Sequence, residues 1–498
     1  MQAMSIAPSS PLVELKRVAV AYGGNRVLHE IDWTLNPGEN WAIVGPNGSG
    51  KSTLLKVICG EVWPTPVAGG VRTYGFGDSA TPSPIGIQQH VALVSAEQQT
   101  KYQRSDWNLA VWQVVYTGLR GTDLIYGVPE PEDRQRVLDM MALFGIELCA
   151  DVPFKVLSQG NLRKVLLARA MIRRPKVLIC DEIGVGLDPP TRTELFERIQ
   201  QSALSGTQVI MVSHRHEDWI DAITHVLELR NGRILSAGPI AEVRRSRLPG
   251  TSSFAMSVGS RTEHVVRGNM DREPVIELVN ADVAVDAGRI VVLRDISWTV
   301  HRGDHWFITG PNGAGKTTLL KLLLGEWHVS QGGSLVRFGD RTLRSVWEIK
   351  KNIGYVSPEF QSRYSVGLSA REVVATGYSA SVGWLQQTTQ AQQNRVSELI
   401  DLFGLAELGD RSILEMSYGQ ARKVLIARAM VTQPRLLLLD EVFDGLDAEF
   451  RASVGRVLAE HAASTTVVLV SHYEEDCLDF MTHRLRLLKG VVAATERL

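Results

Sequence analysis

Two short stretches of this chain set glycines, a lysine and a hydroxyl residue at one spacing. The first is Gly45, Pro46, Asn47, Gly48, Ser49, Gly50, Lys51, Ser52; the second is Gly310, Pro311, Asn312, Gly313, Ala314, Gly315, Lys316, Thr317. Both fit G-x-x-x-x-G-K-[ST] without a gap. The chemistry of that spacing is the cradling of a triphosphate. Glycines let backbone N–H groups turn inward, and the helix that follows adds its partial positive charge. Lys51 and Lys316 are expected to reach the β- and γ-phosphates. Ser52 and Thr317 are expected to hold Mg²⁺, with Thr53 and Thr318 completing the phosphate contacts. Two such loops predict two sites for a nucleoside triphosphate, with ATP and Mg²⁺ as the bound pair.

A second set of residues could carry hydrolysis. The apolar runs Val177 to Cys180 and Leu436 to Leu439 end in paired carboxylates, Asp181-Glu182 and Asp440-Glu441. Carboxylates at the C-terminal end of a buried strand face the crevice where α/β sheets bind ligands. Asp181 and Asp440 suit the Mg²⁺ shell. Glu182 and Glu441 suit the polarisation of an attacking water, a role worth roughly 10²–10⁴-fold. His214 and His472 end the next apolar runs and are expected to contact the γ-phosphate and that water. His214-Arg215-His216 lacks a third ligand for a metal.

These residues need strands to end at them and helices to start from them. The loops follow Trp41 to Val44 and Trp306 to Thr309, and precede helix-forming stretches. Unbroken apolar runs such as Leu436 to Leu439 suit strands buried on both faces of a mainly parallel sheet. Val13 to Val20 and Val275 to Val285 alternate more and predict an antiparallel edge layer. The pattern also repeats as a whole: Val27 to Trp33 matches Val292 to Trp298, and Arg163 to Met171 matches Arg422 to Met430. The offset is 265 residues at the phosphate loops and 259 at the later match. The expected organisation is therefore α/β, with a first domain over 12–240, a linker over 241–273 rich in Ser, Gly and Arg, and a second domain over 274–498. Each copy is long enough for its own core.

Composition narrows the function class. The chain has 498 residues, 44% of them hydrophobic, and a net charge of −1. That charge gives no general basic field for nucleic acid. Four scattered cysteines without C-x-x-C spacing argue against zinc and fit a reduced compartment. No apolar run reaches the roughly 18–20 residues that span a bilayer, and Met1 to Pro11 lacks the features of a signal peptide. The expectation is a cytoplasmic protein, with any membrane role exercised through a partner at the inner face of the membrane.

Two further segments carry a family resemblance. Leu157-Ser158-Gln159-Gly160-Asn161 and Met416-Ser417-Tyr418-Gly419-Gln420 resemble the L-S-G-G-Q signature of ATP-binding-cassette (ABC) ATPases. Gly186-Leu187-Asp188 and Gly445-Leu446-Asp447 resemble that family's D-loop. The resemblance covers nearly the whole chain. It implies two P-loop cassettes, each with a helical subdomain, paired head to tail within a monomer. It further implies that each ATP is gripped by the phosphate loop of one cassette and the signature of the other. One site would use Lys51, Ser52, Asp181, Glu182 and His214 with Ser417 and Gly419; the other would use Lys316, Thr317, Asp440, Glu441 and His472 with Ser158 and Gly160.

The chain departs from the family pattern in three places. Tyr22 fills the position of the aromatic residue that stacks on adenine, but Ala287 aligns with it in the second copy. The glutamine expected after Val91 to Ser95 is missing, leaving Glu97 and Glu359, or Gln98 and Gln361, as substitutes. Ile183 and Val442 replace the proline that commonly follows the catalytic glutamate.

Trp41, Trp306 and the run Trp347 to Ser357 are similar to the molybdate-transport-associated, photorepair-labelled type of tandem cassette. That resemblance implies an energising subunit with a membrane permease as partner. The alternatives are a ribosome-associated ABC-F factor, whose linker is usually longer and highly charged, and a cassette ATPase of DNA repair. A sugar-importer ATPase commonly has one degraded site, whereas both sites here keep their core residues.

Overall fold

The computed structural model describes residues 10–65, 69–77, 79–213, 218–246, 273–285, 290–330, 332–340, 345–362, 364, 366–383 and 387–498. The chain divides into two compact units, Met1–Arg261 and Thr262–Leu498. The stretch expected as a linker begins in a helix, and its remainder at 247–272 lies outside the described residues.

In chain order the first unit runs β1 (Val13–Tyr22), β2 (Asn25–Leu35), β3 (Trp41–Val44), α1 (Lys51–Ile58), β4 (Val71–Tyr74), β5 (Val91–Ser95), α2 (Ala96–Arg104), α3 (Val111–Arg120), α4 (Pro131–Leu143), α5 (Gln159–Met171), β6 (Val177–Asp181), α6 (Pro189–Leu204), β7 (Gln208–Val212), β8 (His225–Arg230), β9 (Arg233–Pro239) and α7 (Ile240–Ser246). Its central sheet has the order β5-β6-β7-β3-β8-β9. The first five strands are parallel and β9 is antiparallel. A separate antiparallel sheet has the order β2-β1-β4.

The second unit repeats the plan: β10 (Pro274–Val285), β11 (Ile290–His301), β12 (Trp306–Thr309), α8 (Lys316–Leu323), β13 (Ser334–Arg337), α9 (Val346–Asn352), β14 (Ile353–Val356), α10 (Pro358–Ser362), α11 (Ala370–Ala375), α12 (Gln390–Leu402), α13 (Tyr418–Met430), β15 (Leu436–Asp440), α14 (Ala448–His461), β16 (Thr466–Val470), β17 (His483–Leu488) and β18 (Val491–Arg497). Its sheets have the orders β14-β15-β16-β12-β17-β18 and β11-β10-β13. This is the mainly parallel core with an antiparallel layer and a helical part that the sequence predicts. Among the described residues no helix is long and apolar enough to cross a membrane.

Side-chain alternation along the central strands explains the layering. Leu436 and Leu438 of β15 join the apolar cluster shared with β10, β11 and α8, whereas Leu437 and Leu439 join the cluster shared with α11 to α14. Val177 and Ile179 of β6 divide from Leu178 and Cys180 in the same way. Each face of the sheet is thus covered, which is why these strands read as unbroken apolar runs. Truncating a fully buried leucine such as Leu438 to alanine costs about 2–5 kcal/mol in such packing.

An arginine caps each phosphate-loop helix at its far end, buried Arg72 in the first unit and partly buried Arg337 in the second. Arg72 donates to the carbonyls of Val57 (2.7 Å) and Val62 (2.8 Å). Arg337 donates to those of Leu323 (2.8 Å) and Leu322 (2.7 Å). The cations add donors at the negative end of the helix dipole and tie α1 and α8 to the antiparallel sheets.

Candidate active site

The site residues gather where parallel strands end. In the first unit β3 lies beside β7, which lies beside β6. The phosphate loop after β3 and the carboxylates closing β6 therefore share one edge of the sheet. The same adjacency holds for β12, β16 and β15.

Gly45 (φ 151°) and Gly310 (φ 150°) open the two loops in a conformation that side-chain-bearing residues rarely adopt. A Cβ on Gly45 would lie 2.0 Å from the Leu229 carbonyl oxygen, and one on Gly310 would lie 2.3 Å from that of Leu487. Only glycine lets the loop pass the neighbouring strand. Pro46, Asn47, Gly48 and Ser49 form a turn closed by Ser49 N–H on the Pro46 carbonyl (3.2 Å). Pro311, Asn312, Gly313 and Ala314 close the same turn at 3.2 Å.

Gly50 and Gly315 then start α1 and α8, with Thr53 and Thr318 in the first turn. Lys51 Nζ donates to the carbonyls of Gly45 (2.9 Å) and Pro46 (3.0 Å). Lys316 Nζ donates to those of Gly310 (2.9 Å) and Pro311 (3.1 Å). Both ammonium groups are thus held inside their loops, where phosphate oxygens would be stronger acceptors.

The hydroxyl and carboxylate expected from the sequence to hold Mg²⁺ meet in both units. Ser52 Oγ donates to Asp181 Oδ2 (3.1 Å), and Thr317 Oγ1 donates to Asp440 Oδ2 (2.8 Å). Burial, and next the charge of Glu441, push the Asp440 carboxyl up to about 7. Burial and the charge of Glu182 push Asp181 up to about 6. Asp440 Oδ1 is buried without a hydrogen-bond partner among the described residues. An all-oxygen donor pair with a raised carboxylate and an orphaned oxygen fits a small hard cation.

Glu182 (φ 51°) and Glu441 (φ 50°) share a left-handed backbone that is uncommon for glutamate. Each is pinned by its own N–H, to the Val212 carbonyl (3.1 Å) and to the Val470 carbonyl (2.9 Å). Strain of this kind collects at functional sites. In the second unit His472 Nε2 lies 2.7 Å from Glu441 Oε1, and the same ring lies 3.3 Å from Lys316 Nζ. Burial alone would raise the Glu441 carboxyl. The His472 hydrogen bond, then the charges of His472, Lys316 and Arg422, hold it below its ordinary value. His214 lies outside the described residues, as does Ala287. Tyr22, at the end of β1, is half exposed.

The signature residues are held by other elements. Ser158 caps α5, its Oγ accepting from Asn161 N–H (3.3 Å). Ser417 caps α13 in a reciprocal box, with Gln420 N–H on Ser417 Oγ (3.3 Å) and Ser417 N–H on Gln420 Oε1 (3.0 Å). Gly160 faces Thr191 of α6, and Gly419 faces Leu446, just before α14, and Phe450 within it. Asp188 and Asp447 of the D-loop segments cap those two helices.

Glu97 and Glu359, offered as substitutes for the missing glutamine, pair instead with helix lysines: Lys56 of α1 at 2.8 Å and Lys321 of α8 at 2.6 Å. The glutamines that reach the signature are Gln99, bonded to Gln159, and Gln361, bonded to the Tyr418 carbonyl (3.3 Å). Sequence reasoning named Gln361 but not Gln99. Counting four residues past Ser95 and Ser357, the matched strand ends, would have found both.

Two phosphate loops on duplicated parallel sheets define a tandem P-loop ATPase. The ABC transporter family model matches residues 28–184 and 293–444, and the chain belongs to that family. It is 33% identical to the ABC transporter ATP-binding protein ModF of Escherichia coli, over 91% of this chain and 92% of that one. An uncharacterized ABC transporter ATP-binding protein of Schizosaccharomyces pombe is 29% identical over 91% and 93% of the two chains. An archaeal ribosome recycling factor, solved with the ribosomal stalk protein aP1, shares the fold with a TM-score of 0.60 at 20% identity, covering 97% of this chain and 90% of that one.

Proposed function

We propose that this tandem ATPase energises an ABC transport system by hydrolysing Mg-ATP at both phosphate loops. The reading is supported most by the completeness of both copies: lysine, hydroxyl, aspartate and strained glutamate stand at matched places in each unit. Lys51 and Lys316 bind the β- and γ-phosphates within their loops. Ser52 with Asp181, and Thr317 with Asp440, would hold Mg²⁺, which supplies neutralisation of phosphate charge when bound. Glu182 and Glu441 orient water and accept its proton. His472, between Glu441 and Lys316, orients that carboxylate toward the γ-phosphate; His214 takes the same role in the first copy.

Tyr22 stacks on the base, and Ser158, Gly160, Ser417 and Gly419 complete the γ-phosphate contacts when the cassettes, over 12–240 and 274–498, pair head to tail. The transport role is supported by near full-length likeness to a relative named as an ABC transporter ATP-binding protein. The partner would be a membrane permease met at the cytoplasmic face, with molybdate the first cargo to try.

The test is a co-purification. Glu182→Gln and Glu441→Gln are combined, Mg-ATP is added, and what stays bound is identified. A permease in the bound fraction supports the transport role. Ribosomes or nucleic acid there would move the protein to translation or repair, leaving the ATPase assignment intact.

A further inference from the structure

Arg422 has no exposed surface and is the largest fully buried side chain of the described residues. A buried guanidinium is costly unless its donors are used. Here three directions are occupied. Nε donates to Gln361 Oε1 (2.6 Å), a second nitrogen donates to the Tyr418 hydroxyl, and the third reaches the Glu441 carbonyl (3.4 Å). Tyr418 lies one helical turn before Arg422, so the two share a face of α13, and its ring centroid is 5.0 Å from the guanidinium carbon. Gln361 closes the circuit by donating to the Tyr418 carbonyl (3.3 Å).

The Glu441 carbonyl also accepts from Asp444 N–H (3.3 Å), while the Glu441 N–H is fixed on Val470. The left-handed peptide of Glu441 is therefore clamped on both sides, and among the described residues Arg422 is the side chain that ties its carbonyl to another element.

We propose that Arg422 is a positioning residue through which the signature end of α13, sensed by the Tyr418 hydroxyl and Gln361, sets the backbone of Glu441 for hydrolysis in the second cassette. The inference rests on the assignment of Glu441 to the attacking water. Ser417 and Gly419 flank Tyr418 in the chain, so a phosphate engaging them would be felt at Glu441 through one arginine. The first cassette has Gln159 where Tyr418 stands, so the ring and its hydroxyl belong to the second copy alone.

The experiment uses the full chain carrying Glu182→Gln, so that the remaining turnover reports the second cassette. Truncating a buried arginine endangers the fold, so the deciding variant is Tyr418→Phe, which removes one hydroxyl from a half-exposed ring. Arg422→Lys accompanies it, keeping charge but losing the planar fork. Turnover is measured with Mg-ATP, and binding with a fluorescent N-methylanthraniloyl ATP.

Tyr418→Phe should lower kcat about fivefold and Arg422→Lys about 10²-fold, with Kd within about twofold and the melting temperature of Tyr418→Phe unchanged. Unchanged kcat in Tyr418→Phe overturns the proposal. So does a loss of kcat that only follows a loss of thermal stability. Glu441→Gln in the same background separates the premises. Should it leave turnover intact, the assignment of Glu441 fails and the inference fails with it. Should it abolish turnover while Tyr418→Phe does nothing, only the relay fails.

Discussion

His472 Nε2 stands 2.7 Å from Glu441 Oε1, and this contact holds a partly buried carboxyl below its ordinary pKa. The sign follows from the balance. Burial favours the neutral acid, the His472 hydrogen bond favours the anion, and the anion wins. The charged form is therefore present above the ordinary carboxylate range and lost as pH falls through the lowered value. Replacing His472 by alanine removes the largest opposing effect and lets burial act. In a Glu182→Gln background, the acid limb of the rate–pH profile should move to higher pH, with kcat at its plateau down about 10²-fold. An acid limb that stays in place would show that Glu441 does not limit the rate.

Asp440 runs the other way. Its carboxyl is raised to about 7, against an ordinary value of about 4. Between those values the folded chain holds a proton that the unfolded chain has released, so this group's contribution to stability declines as pH rises through that window. Mg²⁺ needs the anion. Its binding at pH 6 should release a proton at the second site, and its affinity should climb until about pH 7. For Asp181, raised to about 6, the climb should end earlier. Calorimetric titration in two buffers of different ionisation heat reads the proton directly, and identical heats in both would contradict the coupling.

Glu182→Gln and Glu441→Gln should each leave part of the ATPase rate, and together should reduce it by roughly 10²–10⁴-fold while nucleotide binding persists. A single substitution that already reaches the double-variant rate would mean that the two sites fire only as a pair.

Tyr22, the residue proposed to stack on the base in the first copy, is half exposed at the end of its strand. Tyr22→Ala should weaken binding at that site by about 0.5–1.5 kcal/mol, a loss of about two- to tenfold. The second copy should bind ATP more weakly from the outset. Two equal dissociation constants in the unaltered chain would count against the stacking role.

The phosphate loops, the paired carboxylates and the layered sheets were legible because each is encoded in a few consecutive residues. Leu436 to Asp440 announces a strand, its two-sided burial and its chemistry at once. What stayed hidden depends on contacts between distant segments. Gln361 meets Tyr418 across 57 positions, and Arg422 looks like any other cation of a repeated helix until its three partners are seen. Glu97 and Glu359 were plausible by type and place, but lysines one layer away had already claimed them. Local spacing carries no information about that competition.

The two signature glycines look equivalent in sequence and are not equivalent in packing. A Cβ on Gly160 would lie 2.3 Å from Cγ2 of Thr191, whereas one on Gly419 would meet Leu446 Cδ2 at 3.2 Å. Thr191 is β-branched and in the first turn of α6, its N–H already bonded to Asp188 (3.0 Å), so it cannot swing aside cheaply. Leu446 has a longer side chain that yields a few tenths of an ångström at little cost. Gly160→Ala should therefore destabilise the chain by about 1–3 kcal/mol and Gly419→Ala by less than about 1 kcal/mol. Because the first clash is with a single methyl group, adding Thr191→Ser to Gly160→Ala should recover most of the loss, a coupling that distant, independent sites would not show. Calorimetric melting of Gly160→Ala, Gly419→Ala, Thr191→Ser and the Gly160→Ala/Thr191→Ser pair checks this. Additive losses would place the strain in the backbone of α5 rather than at Thr191.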